Sequence, residues 1–116
     1  SKIKYALEGL ESYFKVDDLT GANKYRCDNC KQLSNAKKGS KIISIPSVVT
    51  FQFKRFTNSL RKIGKLIEYP RSLNLNRYME HEQDNEKTKL ELFGVIVHSG
   101  SSAGSGHYYA FIKNGQ

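Results

Sequence analysis

The sequence is short of the features that mark several common protein classes. Its two cysteines are too few for the disulfide framework of a small secreted domain, so an intracellular, reducing compartment (cytoplasmic or nuclear) is expected. Two prolines and a charged fraction of 26% do not favour disorder. No apolar run approaches the roughly 20 residues needed to cross a bilayer, so no transmembrane helix is expected. The opening Ser1-Lys2-Ile3-Lys4 begins no apolar h-region, so no secretory signal is read there, and the start reads as the interior of a longer chain. Blocks of like charge are missing too. Nineteen Lys and Arg against eleven Asp and Glu leave a net charge of +8, but the cations are scattered, paired only locally as at Lys37-Lys38, Lys54-Arg55 and Arg61-Lys62. Such scatter reads as a solvated surface, and neither a membrane nor a nucleic acid is the expected partner.

What is present suffices for a modest core: 38% hydrophobic residues, with seven tyrosines and six phenylalanines. Residues 3–14 place Ile3, Leu7, Leu10 and Phe14 on one helical face. Residues 17–23 carry turn chemistry, and residues 25–32 hold the pair Cys27-Asp28-Asn29-Cys30. Val49, Phe51 and Phe53 alternate with polar residues, which predicts a strand with one buried face. Residues 57–64 read as a hairpin or loop, residues 65–69 as a short strand, and Leu73 with Leu75 as the opening of another short element. Residues 80–89 contain no strongly apolar side chain and read as a surface insertion. Residues 90–98 return to strand, apolar enough to suggest cover on both faces. Residues 99–106 are all Gly, Ser or Ala and read as a loop before the strand 108–112. The class is α+β, rich in antiparallel strands, with one N-terminal helix.

A loop of small residues loses conformational entropy when ordered, and its benefit is close approach of a ligand backbone. Histidines stand at both its edges, His98 and His107, and a histidine fixed beside such a loop can act as a general base near neutral pH. A flexible hairpin with two incidental histidines gives the same periodicity.

The residues themselves add more. Gly94-Val95-Ile96-Val97-His98-Ser99-Gly100, followed by Ser105-Gly106-His107-Tyr108-Tyr109-Ala110, resembles the histidine box of the ubiquitin-specific proteases, papain-like cysteine peptidases that cleave after the C-terminal glycine of ubiquitin. Lys24-Tyr25-Arg26-Cys27-Asp28-Asn29-Cys30 resembles the second zinc knuckle of that family's fingers region. Pro46 through Phe56, ending Lys54-Arg55-Phe56, resembles its Lys-Arg-Phe strand, and Glu68-Tyr69-Pro70 with Leu73 to Met79 fits the segment that follows. Four matches in the right order cover nearly the whole chain.

The resemblance implies a C-terminal fragment of a protease domain, with residues 15–48 fingers-like and residues 49–116 palm-like. It implies that His107 is the general base and that residues 99–106 form a blocking loop over the ubiquitin tail. His98, Ser99, Gly100, Gly106 and Tyr108 would line the channel for that tail, although His98 reads equally well as a hydrogen-bonding residue at the loop edge. The partners implied are ubiquitin, ubiquitinated proteins and the missing N-terminal half of the same domain. That half would carry the nucleophilic cysteine, and the partner of the histidine would follow beyond residue 116. Asn114 is too close to His107 along an extending strand to serve, at about 3.3 Å per residue. Catalysis needs no cofactor. Cys27 and Cys30 would be half of a structural zinc site, complete only if a second cysteine pair comes from outside the chain, and His81 matches no family position. Two other readings stand beside the protease: a non-catalytic ubiquitin-binding module, and a basic zinc module that binds nucleic acid.

Overall fold

The computed structural model describes residues 5–115, so Ile3 of the expected helix lies outside the described residues. Helix α1 runs over Ala6–Phe14. Tyr5 precedes it as part of a parallel bridge to Glu68, and the Ala6 amide donates to the Glu68 carbonyl at 2.8 Å. Leu10 and Phe14 are half-buried, while Tyr13 is exposed.

Among the described residues, four two-stranded antiparallel sheets follow. Strand β1 (Asp17–Leu19) pairs with β4 (Ala36–Lys38). Between them, β2 (Tyr25–Arg26) and β3 (Leu33–Ser34) make a small knuckle around the two cysteines. The expected turn over 17–23 is thus half strand. Asp17 and Asp18 are held by the ladder to Lys38 and Lys37, and the turn is confined to the 3-10 segment Gly21–Asn23, where Gly21 takes a φ of 58°.

Residues 49–54 correct the sequence reading. They carry no assigned element and join no ladder among the described residues; Val49 and Phe53 are half-buried, but Phe51, on the same predicted face, is exposed. Alternation reports which side of a chain is buried and says nothing of what pairs with it. The same holds for residues 65–69, where only Glu68 forms a bridge. Residues 57–64 form a tight hairpin as expected: Phe56 bridges Lys62, and the Thr57 amide donates to the Arg61 carbonyl at 3.0 Å.

Strand β5 (Ser72–Asn74) pairs with β6 (Lys89–Glu91), enclosing a 3-10 turn (Asn76–Tyr78) and a short helix α2 (Asn85–Thr88). The most buried residues lie here: Leu75, Tyr78, Met79 and Thr88. Thr88 belongs to the stretch read as a surface insertion, yet it is only 1% exposed. The reason is polar. Its hydroxyl lies 2.8 Å from Asn74 Oδ1, the Asn74 and Asn76 amides both donate to Asn85 Oδ1, and Asp84 caps α2 by accepting from the Glu86 amide. A hydropathy reading does not see a segment anchored by amides and a hydroxyl.

Helix α1 reaches this cluster through Phe14, which stacks on Tyr78 with ring centroids 4.6 Å apart. Glu11 accepts from the Tyr78 hydroxyl at 2.8 Å and from Arg77 Nη1 at 2.7 Å. Beyond it the chain is open. The radius of gyration is 18.5 Å, against roughly 13 Å for a compact domain of this length. Among the described residues, no helix is long and apolar enough to cross a membrane.

Two outcomes follow from this cluster. Thr88→Val keeps the shape but removes the hydroxyl, and should cost about 1–3 kcal/mol in denaturant unfolding. Burial, and then the Glu11 carboxylate, raises the Tyr78 phenol above its usual value of 10.0. The unfolded chain therefore ionises this group first. Its contribution is full below about pH 10 and declines as pH rises through the higher folded value. Unfolding measured across that range should show the decline, and Tyr78→Phe should flatten it.

Candidate functional site

The site is built on β7 (Gly94–Ser102) and β8 (Ser105–Ile112), paired antiparallel from Gly94↔Ile112 to Ser99↔His107. The sequence predicts a loop over 99–106. The structure instead carries both strands into it, leaving Ala103 and Gly104 as a two-residue turn with a register shift between Ser99 and Ser102. Small side chains do not prevent pairing, and the irregularity falls where the glycines are.

The register decides which side chains share a face. His98 pairs with Tyr108, and Ser99 pairs with His107. His98, Tyr108, Ile96 and Ile112 therefore belong to one face, and His107, Ser99, Tyr109 and Phe111 to the other. The two histidines point to opposite sides of the ribbon. The expected cover of residues 90–98 is partial among the described residues: Ile96 is 75% exposed on the first face, whereas Val95 and Val97 on the second are half-buried, opposite a 65% exposed Phe111. The sheet has two strands, and cover for its faces would have to come from a second packed layer.

His107 is exposed, and among the described residues no hydrogen bond or ion pair holds its ring. His98 is held on several sides. Its ring lies 4.8 Å from that of Tyr108 and 5.6 Å, edge-on, from that of Phe56. Nε2 lies 3.2 Å from the Ser105 carbonyl oxygen, and Nδ1 is buried without a hydrogen-bond partner among the described residues. Lys62 Nζ donates to the His98 carbonyl at 2.6 Å. The 57–62 hairpin also reaches the ribbon's tip, through an Arg61↔Ser102 bridge and an Ala103 amide that donates to the Leu60 carbonyl at 3.3 Å.

The glycines make this arrangement possible. A Cβ on Gly106, whose φ is +136°, would stand 2.5 Å from His98 Nε2 and 2.6 Å from the Ser99 carbonyl oxygen. One on Gly100 would stand 2.9 Å from the Ser105 carbonyl oxygen and 3.1 Å from His98 Cε1. The space these glycines leave is filled by their own chain. Phe56 and Lys62 complete the surroundings of His98. Phe56 ends a recognisable motif, but no pattern marks Lys62, which lies 36 residues away in sequence.

Cys27 and Cys30 are both free thiols in the β2–β3 knuckle. The Cys27 amide donates to the Gln32 carbonyl at 3.0 Å, and the Lys31 amide to the Cys27 carbonyl at 2.8 Å, which fold the pair into a tight turn. Two sulfurs at this spacing fit half of a tetrahedral zinc set. Among the described residues, no group of three or more His, Cys, Asp or Glu gathers as a metal set would.

Residues 12–116 match the ubiquitin carboxyl-terminal hydrolase family, and the chain belongs to it. It is 46% identical over 110 residues to Probable ubiquitin carboxyl-terminal hydrolase 16 of Schizosaccharomyces pombe, covering 92% of this chain and 24% of that protein. It is 40% identical over 108 residues to ubiquitin carboxyl-terminal hydrolase 25 of Arabidopsis thaliana, covering 92% of this chain and 16% of that one. Among solved structures, the SAGA Ubp8/Sgf11/Sus1/Sgf73 DUB module bound to ubiquitin aldehyde aligns with a TM-score of 0.76 at 32% identity, over 97% of this chain and 27% of that chain. The chain thus spans about a quarter or less of the curated relatives it matches.

The knuckle yields its own test. The Cys30 amide, then the Asn29 amide and the Cys30 thiol, hydrogen-bond to the Cys27 sulfur and hold its thiol below the usual 9.0. Cys30→Ala removes one of these donors. In metal-free protein it should move the pH midpoint of Cys27 alkylation by iodoacetamide upward, and an unchanged midpoint would discount that bond.

Proposed function

We propose that this chain is the histidine-bearing part of a thiol-dependent deubiquitinase, which hydrolyses the isopeptide or peptide bond after the C-terminal glycine of ubiquitin. The observation that carries this reading is the free His107 on β8, directly after a glycine-lined turn, in a chain of the ubiquitin carboxyl-terminal hydrolase family. In the complete domain His107 takes the proton of a cysteine thiol supplied from outside this chain. The thiolate attacks the terminal carbonyl of ubiquitin, and His107 returns the proton to the leaving amine. Water, deprotonated by the same imidazole, then releases the acyl group. A ring without hydrogen bonds of its own is free to make those a nucleophile and an orienting residue would offer.

The ubiquitin tail, a narrow peptide ending in two glycines, runs beside the glycine-rich turn, where Ser99, Gly100 and Gly106 offer little side-chain bulk, with Tyr108 and His98 behind it on the opposite face of the ribbon. A solved neighbour of the chain is bound to ubiquitin aldehyde, which supports ubiquitin as the ligand. Residues 15–48 act as a fingers-like region and residues 49–116 as a palm-like one, within a papain-like arrangement. Cys27 and Cys30 hold a structural zinc only if a second cysteine pair joins them, and catalysis uses no cofactor. The remainder of the domain packs on the open apolar faces of β7 and β8, and the protein acts inside the cell, in cytoplasm or nucleus. A non-catalytic ubiquitin-binding role is the second reading. It is favoured if the full-length protein carries no cysteine nucleophile.

Two measurements test the proposal. The 116-residue chain alone should not turn over a fluorogenic ubiquitin substrate, since it holds a base without its nucleophile. In the full-length protein, His107→Gln should lower kcat by about 10²–10⁴ while ubiquitin still binds. Turnover by the fragment, or an unimpaired variant, contradicts the assignment.

A further inference from the structure

We infer that His98 is a positioning residue: its ring fixes the path of the glycine-rich turn, and so the placement of His107, from the opposite face of the ribbon. The kinetic part of this inference rests on the proposed hydrolase reading; the structural part does not.

The first support is complementarity. The Gly106 Cβ position is taken by His98 Nε2, at 2.5 Å, and the Gly100 Cβ position lies 3.1 Å from His98 Cε1. Two backbone segments of the turn therefore close directly onto one imidazole. The ring spans the β7–β8 gap where the register shifts, a place at which the ladder itself fixes little.

The second support is hydrogen bonding. The Ser105 oxygen is a carbonyl and only accepts, so Nε2, 3.2 Å away, is the donor. In the neutral ring Nδ1 is then the bare nitrogen, and it is the buried atom that lacks a partner. An unpaired acceptor lone pair costs less there than an unpaired N–H. The geometry thus selects one tautomer and ties it to the residue two positions before His107.

The third support is the clamp behind it. Phe56 meets the ring edge-on at 5.6 Å, and Lys62 Nζ holds the His98 carbonyl at 2.6 Å. The same hairpin reaches the tip of the ribbon through the Leu60 carbonyl and Arg61. Leu60, which closes the hairpin turn, has a φ of 63°. His98 is gripped from its own chain on each of these sides, which suits a spacer better than a group that must engage and release substrate.

The test uses the full-length protein and a fluorogenic ubiquitin substrate. His98→Leu fills the space without the donor and should lower kcat about tenfold to a hundredfold, with KM changed less than threefold. His98→Gln, whose side-chain nitrogen can reach the Ser105 carbonyl, should recover most of the loss. Lys62→Met should give a smaller fall in kcat. A fall confined to KM in His98→Leu would make His98 a substrate contact and overturn the inference. So would a Gln variant as impaired as the Leu variant at equal melting temperature. Nitrogen-15 spectra of the ring at about pH 8.5, where an ordinary imidazole is neutral, give a readout free of activity. They should show hydrogen on Nε2, and hydrogen on Nδ1 overturns the inference. If the full-length protein hydrolyses nothing, the proposed function fails, while the tautomer still decides the role of His98.

Discussion

The site depends on the antiparallel register of β7 and β8. With a period of two, the pairing His98↔Tyr108 and Ser99↔His107 assigns each histidine to one side of the ribbon. Slippage of β8 by one residue would exchange its faces, bringing His107 to the side of Phe56 and carrying Tyr108 away from it. The register is held by different means along the ribbon. Up to Ser99 the backbone ladder does it. Beyond Ser99 the ladder is irregular, and contacts from the 57–62 hairpin and the His98 ring take over. The role proposed for His107 on one face is thereby tied to packing on the other.

The remainder of the chain is sparsely packed. Its buried core is a patch around Leu75, Tyr78, Met79 and Thr88, tied to α1 by the Phe14 stack and the Glu11 hydrogen bonds. Large apolar residues stay open elsewhere: Ile43 and Leu66 are each 79% exposed. Hydrophobic area left in water contributes no stability, so this chain gains much from whatever covers it. The ion pairs add little. Lys37–Asp18 and Lys89–Glu91 are exposed, at 3.7 and 3.8 Å, the kind of surface contact that contributes about 1 kcal/mol at most.

Much of this was legible in the residues. The helix ending at Phe14, the hairpin at 57–64 and the strands flanking the Gly-Ser segment follow from period, turn residues or composition, and the cysteine knuckle follows from the family resemblance. The four ordered motifs pointed to the family to which the chain belongs. What was not legible has a common cause: it depends on partners far apart in sequence. Val49, Phe51 and Phe53 alternate as a strand does, yet no described residue pairs with them in a ladder. Thr88 is buried by asparagine side chains that hydropathy counts as surface. The Gly-Ser run has the composition of a loop, but its glycines are there to let strands close on His98. The separation of His98 and His107 onto two faces follows from a register that sequence spacing alone does not supply.

The most direct test of the account is a nuclear Overhauser measurement on the aromatic protons of the full-length protein. The account predicts cross-peaks from the His98 ring to the rings of Phe56 and Tyr108, and none from the His107 ring to Phe56. Contacts between His107 and Phe56 would show that the ribbon is paired in another register, and the division of labour between its two faces would be wrong.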